Sequence, residues 1–178
     1  MKNRITSVMP ECYVDTNLIE YLLDGRVNHQ HSCTKVIGNL KNSHKDKFAI
    51  GIIDRDKKLS GYLKECDVIS STTHLTLLKH RTRNHFIITV SPAIDGFILD
   101  CAVEEAVNPA DFGLPSKLKD FTKISKSVTS NYDTRFKELF KALRNNRELR
   151  NLGISLRYMI DQEYHTDIKH LKNLFEMP

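Results

Sequence analysis

Apolar positions along the chain recur at two spacings. The run "ECYVDT" (11–16) is short and β-prone. In "NLIEYLLDG" (17–25), Leu18, Ile19, Leu22 and Leu23 recur at helical spacing and stop at Gly25. "RVNHQHS" (26–32) reads as a second, weaker strand. "CTKVIGNLKNSHKD" (33–46) puts Val36, Ile37 and Leu40 on one helical face. "KFAIGIIDRD" (47–56) is a continuous apolar run, the pattern of a strand buried on both faces. This β-α-β-α-β order predicts a parallel sheet with helices packed on it.

Two more strands, "LTLLKH" (75–80) and "NHFIITVSP" (84–92), flank a short basic segment and suit a hairpin. Beyond Pro92 the period is helical. Helices are expected over 93–106, 117–128 and 133–150, then a final helix or helix pair over 153–176, with "NPADFGLPS" (108–116) as a loop. Phe136, Leu139, Phe140 and Leu143 form an i, i+3, i+4, i+7 stripe. The fold class expected is therefore α/β. A mostly parallel sheet flanked by helices spans 8–107, and a helical extension, 108–178, packs on the same domain.

Composition narrows the setting. With 178 residues, 40% hydrophobic and 28% charged, the chain is long enough for one domain with a real core. No apolar run approaches the roughly 20 residues that span a bilayer. "MKNRITSVMPE" lacks the apolar stretch of a secretory signal, so a cytoplasmic location is expected. Cys12, Cys33, Cys66 and Cys101 form no C-x-x-C pair and have no histidine at finger spacing, which argues against zinc. The net charge of +5 and pI of about 9.0 lean towards a polyanionic partner. There is no G-x-S-x-G, P-loop or G-x-G-x-x-G motif.

Candidate chemistry gathers at strand ends, where open α/β sheets bind ligands. Asp54 and Asp56 end the third predicted strand. Carboxylates two residues apart repel unless a cation neutralises them, and a hard divalent ion suits an all-oxygen site. A solvated turn screened by Arg55, Lys57 and Lys58 is the plainer reading. Asp15 ends the first predicted strand, 39 residues before Asp54. It competes with a helix start, because Asn17 and Glu20 stand at capping-box spacing. Lys79, Arg81 and Arg83 would share one face of a strand and suit phosphate contact, or else form a solvated hairpin tip. Asp95 sits at the start of the helix after Pro92; Asp100 and Glu104 follow at i, i+4. The cations over 135–150 read as the wet face of a helix.

A strand-end acid, a helix, a second βα unit and a strand ending in D-x-D together resemble the TOPRIM domain of topoisomerases, primases, OLD-family nucleases and small RloB-like proteins. The likeness covers about residues 11–105. In "CYVDTNLIEYLL", Asp15 takes the place of the family's glutamate and Thr16 that of its glycine. Glu20 matches a second acid found in RloB-like members, "DRD" matches the D-x-D motif, and "SPAIDGFILD" (91–100) brings Asp95 to an acidic position. The resemblance implies a Rossmann-like sheet and Mg²⁺- or Mn²⁺-dependent cleavage of DNA or RNA. It also implies metal ligation by Asp54, Asp56 and Asp15, acid–base work by Asp15 and Glu20, and phosphate contact through Lys79, Arg81 and Arg83. An ATPase partner in phage defence is implied as well. The alternatives are a non-catalytic binding or regulatory subunit of the same fold, and a PIN-like ribonuclease, which "YVDTNLIEYLL" also resembles. The spacing from Asp15 to Asp54 favours TOPRIM.

Overall fold

The computed structural model describes residues 3–55 and 61–178. Short strands β1 (Arg4–Ile5) and β2 (Val8–Pro10) lead into helix α1 (Tyr13–Leu23). Strand β3 (Arg26–Val27), helix α2 (Cys33–Lys41) and strand β4 (Ala49–Asp54) follow. Next come β5 (Cys66–Ser71), β6 (Leu75–His80), β7 (His85–Val90) and helix α3 (Ile94–Glu104). The chain continues through α4 (Leu118–Ser125), α5 (Thr134–Ala142), α6 (Arg147–Gln162) and α7 (Ile168–Phe175).

The protein is an α/β fold built on an open five-stranded sheet in the order β2-β4-β7-β6-β5. The sheet is mixed. The β2–β4 and β4–β7 pairs are parallel, while β7–β6 and β6–β5 are antiparallel. The expectation of a mostly parallel sheet missed β5, whose edge position leaves it with no regular apolar pattern. The weaker strand expected at 26–32 forms only β3, which pairs with β1 in a separate two-stranded sheet. Beyond it, the N–H groups of Asn28 and Gln30 donate to Val8 O and Pro10 O at 2.9 and 3.1 Å, so this segment runs along the outer edge of β2.

The strand expected at 11–16 lies earlier, at Val8–Pro10, and Tyr13 already belongs to α1. Local hydrogen bonding decides this. The Asp15 carboxylate accepts the Cys12 N–H at 3.0 Å, and the Cys12 carbonyl accepts from Thr16 N at 3.0 Å. The helix therefore starts before Asn17. Asn17 turns inward instead, and its amide donates to Ser130 O at 2.7 Å.

Both sheet faces are covered. Alternate residues of β4 divide between them: Ile50 and Ile52 join Val14, Leu18, Phe97 and the helices after β7, while Ala49 and Ile53 join Val36, Ile37 and Leu40 of α2. Gly51 faces α2, where a Cβ would stand 2.9 Å from Val36 Cγ1. Only glycine lets α2 come this close. Phe121, Phe136, Phe140, Leu156 and Phe175 of the later helices share one core with β4 and β7. Residues 133–150, expected as a single helix, divide at Asn146, whose side chain accepts from Leu149 N at 3.3 Å and caps α6. No helix among the described residues is long and apolar enough to cross a membrane.

Candidate acidic site at the carboxyl edge of the sheet

Strands β2, β4 and β7 run in one direction, so their carboxyl ends share an edge. Four acids gather there. Glu11 directly follows β2, Asp15 lies in the first turn of α1, Asp54 ends β4, and Asp95 lies in the first turn of α3. Backbone amides link them in a chain. Glu11 Oε2 accepts from Asp54 N at 3.2 Å, Asp54 Oδ1 accepts from Ile94 N at 3.0 Å, and Asp15 Oδ2 accepts from Cys12 N at 3.0 Å. Asp54 thus supplies the cap that the N-cap residue of α3, Ala93, lacks.

Glu11, Asp15 and Asp95 are all buried, at 2%, 1% and 7% exposure. Asp15 Oδ1 and Asp95 Oδ1 are buried without a hydrogen-bond partner. Such atoms are uncommon, since an unsatisfied buried polar group costs about 1–3 kcal/mol. Burial pushes the Asp15 carboxyl up to about 6; the Cys12 hydrogen bonds oppose the shift, and the charges of Glu11 and Asp95 add to it. Burial, and then the Asp15 charge, also drive the Cys12 thiol far up, so it is not a ready thiolate.

The expected residues are distributed as follows. Asp15 lies on the same edge as Asp54 and feels the charges of Glu11 and Asp95, though it sits inside a helix and not at a strand end. The strand-end acid is Glu11, which the misplaced strand had hidden; "VMPE", a short apolar run closed by an acid, was its signal in the sequence. Asp95 joins the group. Asp56 lies outside the described residues. Glu20 points elsewhere. It is five residues beyond Asp15, about 7.5 Å along α1, and its carboxylate accepts from Val27 N at 3.2 Å.

Lys79, Arg81 and Arg83 lie at the opposite edge. Lys79 pairs across from Phe86, whereas Asp54 pairs across from Val90, which puts them four residues apart on β7, about 13 Å. These side chains are also engaged. Lys79 Nζ donates to the carbonyls of His80 (2.8 Å) and Arg83. Arg81 pairs with Asp67 at 2.8 Å, and Arg83 donates to Lys41 O at 3.4 Å. They brace the β6–β7 turn and do not reach the acids.

A second polar cluster escaped the sequence reading. His74, in the β5–β6 turn, places Nδ1 2.5 Å from Glu148 Oε2 and Nε2 3.1 Å from Asp100 Oδ2. Carboxylates only accept, so this arrangement suits an imidazolium that donates from both ring nitrogens. Its pKa is raised: burial opposes the charge, and Glu148 and Asp100 outweigh burial. Glu148 comes from α6, 74 residues away in the chain, so no local motif announces it.

Among the described residues, no three His, Cys, Asp or Glu side chains are arranged to hold a metal ion as they stand. The donor set at the carboxyl edge is nonetheless all oxygen, with two buried oxygens unsatisfied. That chemistry fits a hard divalent cation and not zinc. Compared with protein-family models, with curated proteins and with solved structures, the chain matches none of them.

Proposed function

We propose that the protein is a TOPRIM-like, Mg²⁺- or Mn²⁺-dependent nucleic-acid-cleaving protein whose centre is the acidic group Glu11, Asp15, Asp54 and Asp95. The observation that carries this reading is the convergence of four carboxylates at the ends of parallel strands, two of them with buried, unsatisfied oxygens. Glu11, directly after β2, corresponds better than Asp15 to a strand-end glutamate, and Cys12 then stands where the resemblance has glycine. Asp54 and Asp15 hold the cation, Asp95 closes the site from α3, and Asp56 belongs to the same D-x-D pair. Glu11 positions Asp54 through its backbone N–H. A bound divalent ion stabilises charge on the oxygens of a phosphodiester. Proton transfer falls to Asp15 or Glu11, and Glu20, held by β3, has no part in it.

One observation favours a second reading, a non-catalytic subunit of the same fold. Asp15, Asp54 and Glu11 each accept a backbone N–H and so serve the architecture without any ion. Calorimetric titration with Mn²⁺ separates the two. Saturable binding that disappears in Asp15→Asn/Asp54→Asn, together with metal-dependent cleavage of a labelled oligonucleotide, supports the first. No Mn²⁺ binding by the wild-type chain rejects it. An ATPase partner is part of the proposal only through the family resemblance.

A further inference from the structure

If nucleic acid is the substrate, a cationic surface is required, and the β6–β7 turn does not supply it. A cavity of about 510 Å³ lies between α1, α5 and α6. Lys137, Arg144, Arg150 and Arg157 line it, against two acids, Glu20 and Asp24. Tyr21 and Leu22 contribute to its half-buried floor.

The groove cations are held differently from the ion-paired cations of the surface. Arg81, Arg135 and Lys123 each pair with an aspartate at 2.7–2.8 Å. In the groove, Arg157 donates to the amide oxygen of Leu22 and Arg150 to that of Asn151 at 3.4 Å, while Arg150 also meets the oxygen of Pro178, the last residue of the sequence, at 2.6 Å. Amide oxygens orient a guanidinium without cancelling its charge. Lys137 and Arg144 take part in no ion pair among the described residues. Two carboxylates, Glu20 and Asp24, share the lining; the Val27 N–H fixes Glu20 at 3.2 Å without removing its charge, so four cations face two acids and the excess is positive. The groove thus holds preorganised positive charge.

The charge also continues beyond the cavity. Lys141 is exposed one turn on from Lys137 along α5, and Arg147 is exposed at the start of α6. The next residue, Glu148, holds His74 on the same sheet edge as Asp54. A linear polyanion fits such a stripe better than a compact ligand does.

We propose that the α1/α5/α6 groove binds the phosphodiester backbone of a nucleic-acid strand and is the substrate-binding surface of the protein. The inference rests on the nucleic-acid reading above. The test is fluorescence anisotropy with labelled DNA and RNA oligonucleotides in EDTA, across a salt series, for the wild-type chain, Lys137→Glu/Arg144→Glu, and Arg81→Gln/Arg83→Gln. The groove variant is expected to bind at least about tenfold more weakly, and its log K against log salt slope is expected to fall by about 2. The turn variant should bind as the wild type does. Circular dichroism melting shows that the groove variant is folded, and Mn²⁺ titration reports the acidic centre separately. Unchanged affinity in a folded groove variant overturns the groove assignment and leaves the metal centre standing. Wild-type binding of a nucleoside triphosphate with no gain from longer strands also overturns it, in favour of a small-ligand pocket. Wild-type binding to neither DNA nor RNA overturns both readings. Tight binding of an acidic peptide in place of nucleic acid overturns the assignment too.

Discussion

Glu148 grips His74 twice: Oε2 takes the ring Nδ1–H at 2.5 Å, and Oε1 takes the backbone N–H at 3.1 Å. This ties the first turn of α6 to the β5–β6 turn, and Asp100 extends the tie to α3 at 3.1 Å. The ion pair to Glu148 is buried and Asp100 is 57% exposed, so Glu148 is the partner that matters for stability.

The pH dependence follows from two opposite shifts. His74 has a folded pKa above 6.5, so its contribution is complete below that value and lost as pH rises through the folded pKa. Glu148 has a folded pKa below 4.5 because its hydrogen bonds from Thr72 and His74 outweigh burial; its contribution is complete above 4.5 and lost as pH falls. The stability difference between wild type and His74→Gln should therefore be greatest between 4.5 and 6.5 and shrink on either side. Glu148→Ala, which removes the buried partner of His74 and leaves only the exposed Asp100, should cost about 1–3 kcal/mol within that window. Urea melts across a pH series give both results, and a pH-independent difference would refute the pairing.

Asp54 serves as both cap and candidate ligand, and two substitutions separate the roles. Asp54→Asn keeps an oxygen for the Ile94 N–H and removes the charge. It should melt within a degree or two of wild type yet fail to bind Mn²⁺. Asp54→Ala removes the cap of α3 as well and should lose about 1 kcal/mol. Equal destabilisation by both would mean that the charge, and not the cap, supports the fold.

The sequence made Asp54 legible and left its neighbours obscure for physical reasons. β4 and β7 carry near-continuous apolar runs and, with β6, lie close to the expected bounds, whereas α2 has a clear period but ends at Lys41, five residues short of the expected 46. β2 spans three residues, ends in Pro10, and is buried by its position beside β4; its composition alone does not mark it. Misplacing it moved the strand end from Glu11 to Asp15. β5 exposes Asp67 and Val68 on an edge with a register shift between Val68 and Ser70, which erases the alternation. The role of Glu148 depends on a contact 74 residues away, beyond any local pattern.

Asn146 is also hidden from the sequence pattern, because the apolar stripe ends at Leu143 and the polar run that follows, Arg144 to Glu148, holds no glycine or proline to mark a break. The structure gives it three partners. Oδ1 accepts from Leu149 N at 3.3 Å and from Cys101 Sγ at 3.3 Å, and the amide donates to Glu104 Oε2 at 2.8 Å. Asn146→Ala removes a helix cap and leaves part-buried groups unpaired, for a loss of about 2–3 kcal/mol. Asn146→Asp keeps the cap but sets a second carboxylate against Glu104. Its deficit should shrink as pH falls through the carboxylate range, whereas that of the alanine variant should not. Guanidinium melts at neutral and acidic pH provide the comparison.

Gly51 links the packing of α2 to the acidic site. A Cβ there would stand 2.9 Å from Val36 Cγ1 and 3.2 Å from Leu40 Cδ1, both fully buried side chains with no open space to move into. Gly51→Ala lowers the entropy of the unfolded chain, a gain of about 0.4–1 kcal/mol. Overpacking against α2 costs about 1–3 kcal/mol, so the net effect should be destabilising. Relief requires α2 or β4 to shift, and β4 carries Asp54 three residues further on. Gly51→Ala should therefore lower both the melting temperature and the affinity for Mn²⁺. Gly38→Ala, on α2 with nothing within 4 Å of the added carbon, should lower neither. A Gly51→Ala protein as stable as wild type would show that the α2–β4 approach is looser than these distances describe.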